Sequence, residues 1–290
     1  MKLSLLALVA LSGSVAYCQC IGFVNKGDAF VNCKGRETRI THRGTVEQFA
    51  VAPNASALVL QHEQRPGRRI EIVSLKDGSS VWRPNRSTFD VTQSCGTVTG
   101  REWVEDANTF QLRDVLTDQL LVKSPYRQFA CGADSKIVIG VTDRPPHLRI
   151  GTAPGHDLAT IEQDNLVQFS ISPDGQYVAY VTVRMELCAS SITATNSGCV
   201  QVGVYPVAGL SINDEGSVLF GLGDDECVFG QHRAPNSCSN VFEWHAGQAE
   251  SKRLMSGESP VWLTDSQASA LAEFASKVTR SNHTARTTQH

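Results

Sequence analysis

The sequence lacks several motifs that mark common activities. It has no G-x-S-x-G nucleophile motif, no C-x-x-C pair and no glycine-rich phosphate loop. The stretch HEQRP (62–66) lacks the second histidine of the H-E-x-x-H zinc motif. These absences exclude an α/β-hydrolase active site and give no support for structural zinc or for nucleotide binding.

The sequence also lacks an apolar run of the roughly 20 residues that a membrane-spanning helix needs. The longest candidate, 3–11, is shorter and follows the single positive charge of Lys2. This pattern predicts a signal peptide over residues 1–18 and a secreted or periplasmic protein without a membrane span. Tyr17 is too bulky for the small residue that precedes the lipidated cysteine of a lipoprotein, so a lipid anchor at Cys18 is disfavoured.

Charge of one sign is not concentrated anywhere in the chain. The formal net charge is −3, and the lysines and arginines are spread along the sequence. Duplex nucleic acid usually requires a clustered basic surface, so nucleic acid is not an expected partner. The expected partner is a protein or a polysaccharide, and the chain is expected to be a monomer.

Cysteine, by contrast, is plentiful, and nine cysteines in an exported chain predict disulfides. Two pairs have the same spacing of eleven, and the hairpin pairing of IGFV (21–24) with AFVN (29–32) places a third pair directly opposite. Two further cysteines are expected at one face of adjacent repeat units. Some of these could instead be buried free thiols, because spacing does not fix connectivity. The predicted pairs are Cys20–Cys33, Cys95–Cys131, Cys188–Cys199 and Cys227–Cys238.

A repeat of forty residues organises the chain. Aromatic residues that open similar stretches recur without a gap at Phe49, Phe89, Phe129 and Phe169, and further copies begin near Leu210 and Val261. Each unit reads as four short strands separated by turn residues, because β-branched and aromatic residues alternate with polar ones. Periods of 40 to 50 residues are typical of propellers and solenoids.

These units predict an all-β fold, a six-bladed β-propeller of four-stranded antiparallel blades. We expect residues 260–275 to supply the first strands of the last blade and residues 29–41 its third and fourth, so that both chain ends close the ring. A helix in ASALAEFASKV (268–278) is the competing interpretation, and it would leave one strand to the carboxyl end. Seven blades are the alternative count. The predicted propeller domain spans 19–278, followed by a disordered polar tail at 279–290.

The stretch F-S-I-S-P-D-G-Q-Y-V-A-Y (169–180) resembles the repeat of TolB-like, or PD40-type, six-bladed propellers. FAVAPNASALVL (49–60) resembles a second copy, with Asn54 where the aspartate stands. The resemblance implies a propeller over about 49–275, with Asp174 and Gly175 in a strand-to-strand turn rather than a chemical site. The chain leaves no room before residue 45 for the amino-terminal domain of TolB itself, so the role of that protein in the cell envelope is not implied.

Function is expected where the repeats differ, at the loops between the second and third strands. In a propeller these loops share one face with the blade-to-blade connections. We expect disulfides to staple two of them and to shape a binding surface. The loops are predicted at 62–68, 101–108, 142–147, 184–199 and 223–238.

The candidate ligand contacts follow from this geometry. Trp103 and Arg101 lie in one predicted loop and His232 and Arg233 in another, while three glutamines precede the repeated phenylalanine and so should surround the channel mouth: Gln48, Gln128 and Gln168. The predicted metal and cofactor content is none, although Asp224, Asp225 and Glu226 offer the oxygen ligands that calcium prefers. A solvated acidic loop is the simpler interpretation of that triplet.

The leading hypothesis is therefore an exported, non-enzymatic propeller that binds a protein or extracellular polymer through one face. The alternative is a propeller enzyme that cleaves a glycan or small ester with carboxylates at the channel mouth. Candidate carboxylates are Glu47, Glu102, Asp106, Asp164 and Glu258.

Overall fold

The computed structural model describes residues 20–287, except 65–66, 84–87, 105–108, 125–127, 133–137, 142–146, 152–156, 163–165, 193–196, 204–206 and 224–238. The predicted signal peptide at 1–18 lies outside these residues. Within the described part, 24 strands form six four-stranded antiparallel sheets, and one long helix follows the last strand.

In chain order the strands are β1 (Cys20–Asn25), β2 (Asp28–Cys33), β3 (Arg36–Arg39), β4 (Val46–Val51), β5 (Ala57–Gln64), β6 (Gly67–Ser74), β7 (Ser80–Arg83), β8 (Thr88–Ser94), β9 (Thr97–Val104), β10 (Thr109–Asp114), β11 (Leu120–Ser124), β12 (Gln128–Cys131), β13 (Val138–Val141), β14 (His147–Gly151), β15 (Asp157–Glu162), β16 (Leu166–Ile171), β17 (Tyr177–Thr182), β18 (Glu186–Ser191), β19 (Ser197–Gln201), β20 (Val207–Ile212), β21 (Ser217–Gly223), β22 (Ser239–His245), β23 (Lys252–Ser256) and β24 (Glu258–Leu263). The helix, α1, spans Asp265–Thr287.

Five blades each consist of four consecutive strands: blade 1 (β4–β7), blade 2 (β8–β11), blade 3 (β12–β15), blade 4 (β16–β19) and blade 5 (β20–β23). The remaining sheet, blade 6, is composite and has the order β24-β1-β2-β3. It contacts blade 5 through β20 and β24 and blade 1 through β24 and β4, so it closes the ring.

The composite sheet corrects the fold prediction. The forty-residue repeat builds five blades by itself, not six or seven, and the closing sheet takes one strand from the carboxyl end and three from the amino end. Residues 265–275 form the start of α1 and not a second closing strand. The residues 279–287, for which the sequence predicted disorder, continue the same helix. The apolar spacing of Leu271, Phe274 and Val278 was the correct signal for this segment.

The hydrophobic core lies between the blades, as propeller architecture requires, because each twisted sheet has two apolar faces to bury. The largest cluster joins blade 6 to blade 1 and includes Phe49, Leu60 and, from α1, Leu271 and Phe274. Another cluster joins blades 4 and 5 around the fully buried Trp244. At these two seams the ring is therefore held by packing between neighbouring blades rather than by a single central core.

Tight turns set the strand register. Lys26 and Gly27 both have positive φ, the combination of a type I′ hairpin turn between β1 and β2. Gly27 is required for a second reason: a Cβ there would lie 2.4 Å from the backbone of Gly44. Asp174 and Gly175 turn the chain from β16 to β17, where the Ser172 hydroxyl donates to the Asp174 carboxylate over 2.6 Å. That stretch is thus a turn, as the sequence predicted.

Helix α1 covers the blade 6–blade 1 seam on the face where first strands end. The Gln267 amide donates to the carbonyl oxygens of Val51 and Ala52 over 3.1 and 3.2 Å. Leu271 has no exposed surface. We call the face of the ring that α1 covers the helix face. We call the opposite face, where the first strands begin, the mouth face. Among the described residues, no helix is long and apolar enough to cross a membrane.

Candidate functional site

A cavity of about 350 Å³ runs along the axis of the ring. The first strands of all six blades contribute to its wall, together with Arg101 from β9 and Leu112 from β10. Polar groups from three different blades are among them: Gln48, Gln168 and Arg101. The structure therefore brings together three of the residues that the sequence proposed as ligand contacts.

Gln128 is the first residue of β12 and occupies the same register position as Gln48, two repeats before it, and Gln168, one repeat after it. Its side chain and that of Trp103 lie outside what the structure describes. Residues 224–238, which include His232, Arg233, Cys227, Cys238, Asp224, Asp225 and Glu226, also lie outside it. The expectations for these residues stay predictions.

The first strands are irregular where they enter the channel. Glu47 in β4 and Val167 in β16 are extra residues in the pairing with the second strand, because Val46 and Gln48 face neighbouring partners on β5. Such β-bulges re-aim side chains at barrel rims and sites. Similar register shifts occur in β8, β20 and β24. The bulges place Glu47 and the 39 % exposed Val167 at equivalent points of the mouth.

Two of the candidate carboxylates meet at this rim. Burial raises the pKa of Glu258 to about 7, and the negative charge of Glu47 adds to the effect. Glu47 itself accepts a hydrogen bond of 3.2 Å from the amide of the buried Gln61, whose carbonyl oxygen accepts from the backbone of Val91 in blade 2. Near neutral pH the rim thus holds, beside Glu47, a Glu258 carboxyl that is partly protonated.

The other candidate carboxylates do not join this pair. Glu102 lies in β9, where it forms an ion pair of 3.2 Å with Arg113, and Asp106 and Asp164 lie outside the described residues. Among those that the structure describes, no group of three or more histidine, cysteine or acidic residues could hold a metal ion.

The predicted loop positions require correction. Arg101 and Trp103 belong to β9, paired with Leu112 and Phe110 of β10, and not to a loop. In the segment 184–199, the described residues form a short turn, β18 and the start of β19. The alternation of residues in these stretches favours strands.

Three of the predicted disulfides are present: Cys20–Cys33, Cys95–Cys131 and Cys188–Cys199. The last does not staple a loop, because Cys188 and Cys199 face each other in the pairing of β18 with β19. The second joins blade 2 to blade 3, where the backbone N–H of Cys95 also donates to the carbonyl oxygen of Cys131 over 2.8 Å. Three disulfides indicate an extracellular or periplasmic location.

A buried polar network occupies the mouth-face end of the blade 6–blade 1 seam. In blade 6 the carboxylate of Asp28 accepts hydrogen bonds from the Thr41 hydroxyl over 3.0 Å and from the backbone N–H of Arg43 over 2.6 Å. These bonds, with those from Gly44 and Arg39, hold the pKa of Asp28 below its usual value against the opposing effect of burial. The blade-to-blade segment 40–45 is thereby fixed.

The same network continues into blade 1. The Arg43 guanidinium donates to Glu71 over 2.8 Å, and the other oxygen of Glu71 lies 3.2 Å from Nε2 of His62. The hydroxyl of Thr45 lies 2.9 Å from Nδ1 of that histidine. The sequence reasoning missed this group. A charged Glu71 within the apolar strand RIEIV was the available signal, because a carboxylate there needs buried partners.

Comparisons with known proteins show the fold and not a family. Neither a protein-family model nor a curated protein matches the chain. Among solved structures, a chain of a nidogen/laminin complex superposes with a TM-score of 0.58 at 8% identity, over 84% of this chain and 98% of that one. A chain of a mitotic checkpoint complex reaches a TM-score of 0.48 at 10% identity, over 82% and 74%.

Proposed function

We propose that this chain is an exported β-propeller that binds a protein or an extracellular polymer at its mouth face. The observation that carries the proposal is the axial cavity, where amide and guanidinium groups from three blades line the wall beside apolar side chains such as Val91 and Leu112. Its volume of about 350 Å³ is within the range of ligand sites. A few convergent polar groups on an apolar wall are what such sites use for orientation and specificity.

The binding surface differs from the one expected from sequence. The described stapled hairpin is part of a blade, so the proposal now rests on the channel entrance with Gln48, Gln168 and Arg101. The predicted loop 223–238 and its cysteine pair remain a proposed extension of the same face. The bulges aim the rim residues Glu47 and Val167 at the entrance. A chain segment or a projecting sugar unit would therefore meet the side chains of these two residues first.

Export is supported by disulfide chemistry. Disulfides persist in oxidising compartments and are rare in the cytosol. The signal peptide at 1–18 is the proposed route. Membership of the TolB-like, PD40-type family is likewise a proposal, which rests on the residues 169–180 and on the second copy at 49–60.

The structural comparison adds a modest argument. The nidogen/laminin complex is an assembly in which a chain of this general fold occurs. At 8% identity that likeness concerns fold alone, so the identity of a partner does not transfer. It supports only the idea that a propeller of this size can take part in a complex of proteins.

The proposal is tested by a binding screen with the mature, disulfide-bonded protein against arrays of extracellular polysaccharides and matrix proteins. A saturable ligand that the double variant Gln48→Ala, Gln168→Ala no longer binds supports it. Retention of full affinity in that variant refutes the location, and the absence of a saturable ligand across the arrays counts against the function.

A second candidate function has one specific observation in its favour. The Glu258 carboxyl has a pKa of about 7 and lies beside Glu47, and glycosidases use two neighbouring carboxyl groups as acid and as base or nucleophile. Release of reducing sugar from polysaccharides at pH 5 to 7 tests it. Activity that both Glu258→Gln and Glu47→Gln abolish would favour this function over simple binding.

A further inference from the structure

We propose that Thr45, His62 and Glu71 form a second site, distinct from the channel, that hydrolyses small carboxylic esters with Thr45 as the nucleophile. At the mouth-face end of blade 1, His62 contacts Thr45 on one side of its ring and Glu71 on the other. Thr45 Oγ1 lies 2.9 Å from His62 Nδ1, and His62 Nε2 lies 3.2 Å from Glu71 Oε2. A hydroxyl, an imidazole and a carboxylate in this order are the parts of an activated nucleophile.

The surroundings fix the tautomer of His62. A bare lone pair on Nε2 would face the Glu71 carboxylate at 3.2 Å, which electrostatics disfavours. Nε2 therefore carries the proton, and Nδ1 is the acceptor for the Thr45 hydroxyl. At 3.2 Å the contact of Nε2 with Oε2 is longer than a strong charge-assisted hydrogen bond, and apo sites often tighten such contacts only when a substrate is bound.

The imidazole is available as a base near neutral pH. His62 is 1 % exposed, and this burial lowers its pKa although the charge and hydrogen bond of Glu71 oppose the effect. The guanidinium of Arg43 contacts the same carboxylate as the imidazole does. Its positive charge also lowers the pKa of His62. The carboxylate charge is balanced by Arg43 rather than by a histidinium.

The site has an exposed end and an apolar neighbour. Thr45 is exposed, while His62 and Glu71 are buried beneath it. The ring of Trp82 lies 5.1 Å from the imidazole and is 43 % exposed, so an apolar surface adjoins the base. An exposed tryptophan is a favourable platform for an apolar group. The substrate class is therefore a small ester with an apolar acyl group.

The chemistry balances without a cofactor. The Thr45 oxygen attacks the ester carbonyl and passes its proton to Nδ1 of His62, while Glu71 stabilises the imidazolium. The bond from the acyl carbon to the alcohol oxygen breaks, and the alcohol leaves with the proton from Nδ1. Water, deprotonated by the same nitrogen, then cleaves the acyl-threonine to the carboxylic acid and restores the hydroxyl.

The test uses p-nitrophenyl acetate and butyrate with the full disulfide-bonded protein. We expect release of nitrophenol above the buffer rate and an acyl adduct on Thr45 after rapid acid quench. Thr45→Val, which keeps the shape but removes the hydroxyl, should lower the rate at least tenfold, since general-base catalysis contributes about 10²- to 10⁴-fold. Thr45→Ser should retain activity, and the distant Lys277→Ala should match the wild type.

A purely structural network predicts a different result. No release above buffer by folded wild-type protein, or equal rates in Thr45→Val and wild type, would overturn the proposal. Because Thr45 is exposed, its variants should fold, and far-ultraviolet circular dichroism checks this. The result is independent of ligand binding at the channel, which the variants of Gln48 and Gln168 address.

Discussion

The guanidinium of Arg43 donates a 2.8 Å hydrogen bond to the carboxylate of Glu71, a side chain with no exposure to solvent. The backbone N–H of the same arginine donates to Asp28 in the neighbouring blade. One residue of the blade-to-blade segment thus connects buried carboxylates on both sides of the seam where the ring closes.

Arg43→Met should destabilise the protein. Glu71 would lose its cationic partner in a buried position, and breaking such a pair costs about 3 kcal/mol. Urea unfolding followed by circular dichroism measures the loss. The matched control is Lys277→Met, which removes the exposed ion pair with Glu273 and should cost less than about 1 kcal/mol. Equal costs for the two variants would contradict the importance of the seam network.

Glu258 should make stability depend on pH. Its pKa is raised to about 7 in the folded protein from an ordinary value of 4.5, so the folded state binds the proton more tightly than the unfolded chain. The stabilisation is present below pH 4.5 and is lost as pH rises through 7. Partial exposure reduces the effect to about 1 to 2 kcal/mol. In Glu258→Gln this portion of the slope should disappear, and an unchanged pH profile would exclude the assignment.

The disulfide between blades should matter more than the one within a blade. Cys95 and Cys131 are 36 residues apart, whereas Cys188 and Cys199 are 11 apart. Loop entropy gives about 4 kcal/mol for the first and about 3 kcal/mol for the second. Paired Cys→Ala variants and thermal unfolding test the order. A larger loss for the Cys188–Cys199 pair would show that closure entropy does not dominate.

The helix should contribute to ring closure. Leu271 is fully buried against the blade 6–blade 1 core, and Leu271→Ala should cost about 2 to 5 kcal/mol. Glu273→Ala, on the exposed side of α1, is the control and should change stability by less than about 1 kcal/mol. If Leu271→Ala behaved like the control, α1 would not be part of the closing seam.

Short-range patterns predicted the blade interiors well. The Asp174-Gly175 turn and the Cys20–Cys33 pair follow from the local pattern of strand and turn residues, because hairpin register is set by residues close in sequence. The period itself located Gln48 and Gln168 at the channel wall. These features need no knowledge of the ring.

Features that depend on long-range register were less predictable. The local sequence pattern of the segment that begins near residue 265 is compatible with a strand and with a helix. Only the packing of Leu271 against blades 6 and 1 decides between them. Thr45, His62 and Glu71 come from three separate segments. Their meeting requires the pairing of β4, β5 and β6 together with the fold of the linker. The sequence offered only an isolated charge in an apolar strand.

The proposed binding function is tested most directly by one affinity ratio, that of the wild type to Gln48→Ala, Gln168→Ala for the ligand found by the array screen. Asp77→Ala on the helix face is the control, because its exposed carboxylate accepts hydrogen bonds from the backbone N–H and the hydroxyl of Ser79 within its own turn. We predict at least a tenfold weaker affinity for the double variant, equivalent to about 1.4 kcal/mol, and no change for Asp77→Ala. Unchanged affinity in the double variant, or an equal loss in the control, would contradict binding at the mouth face.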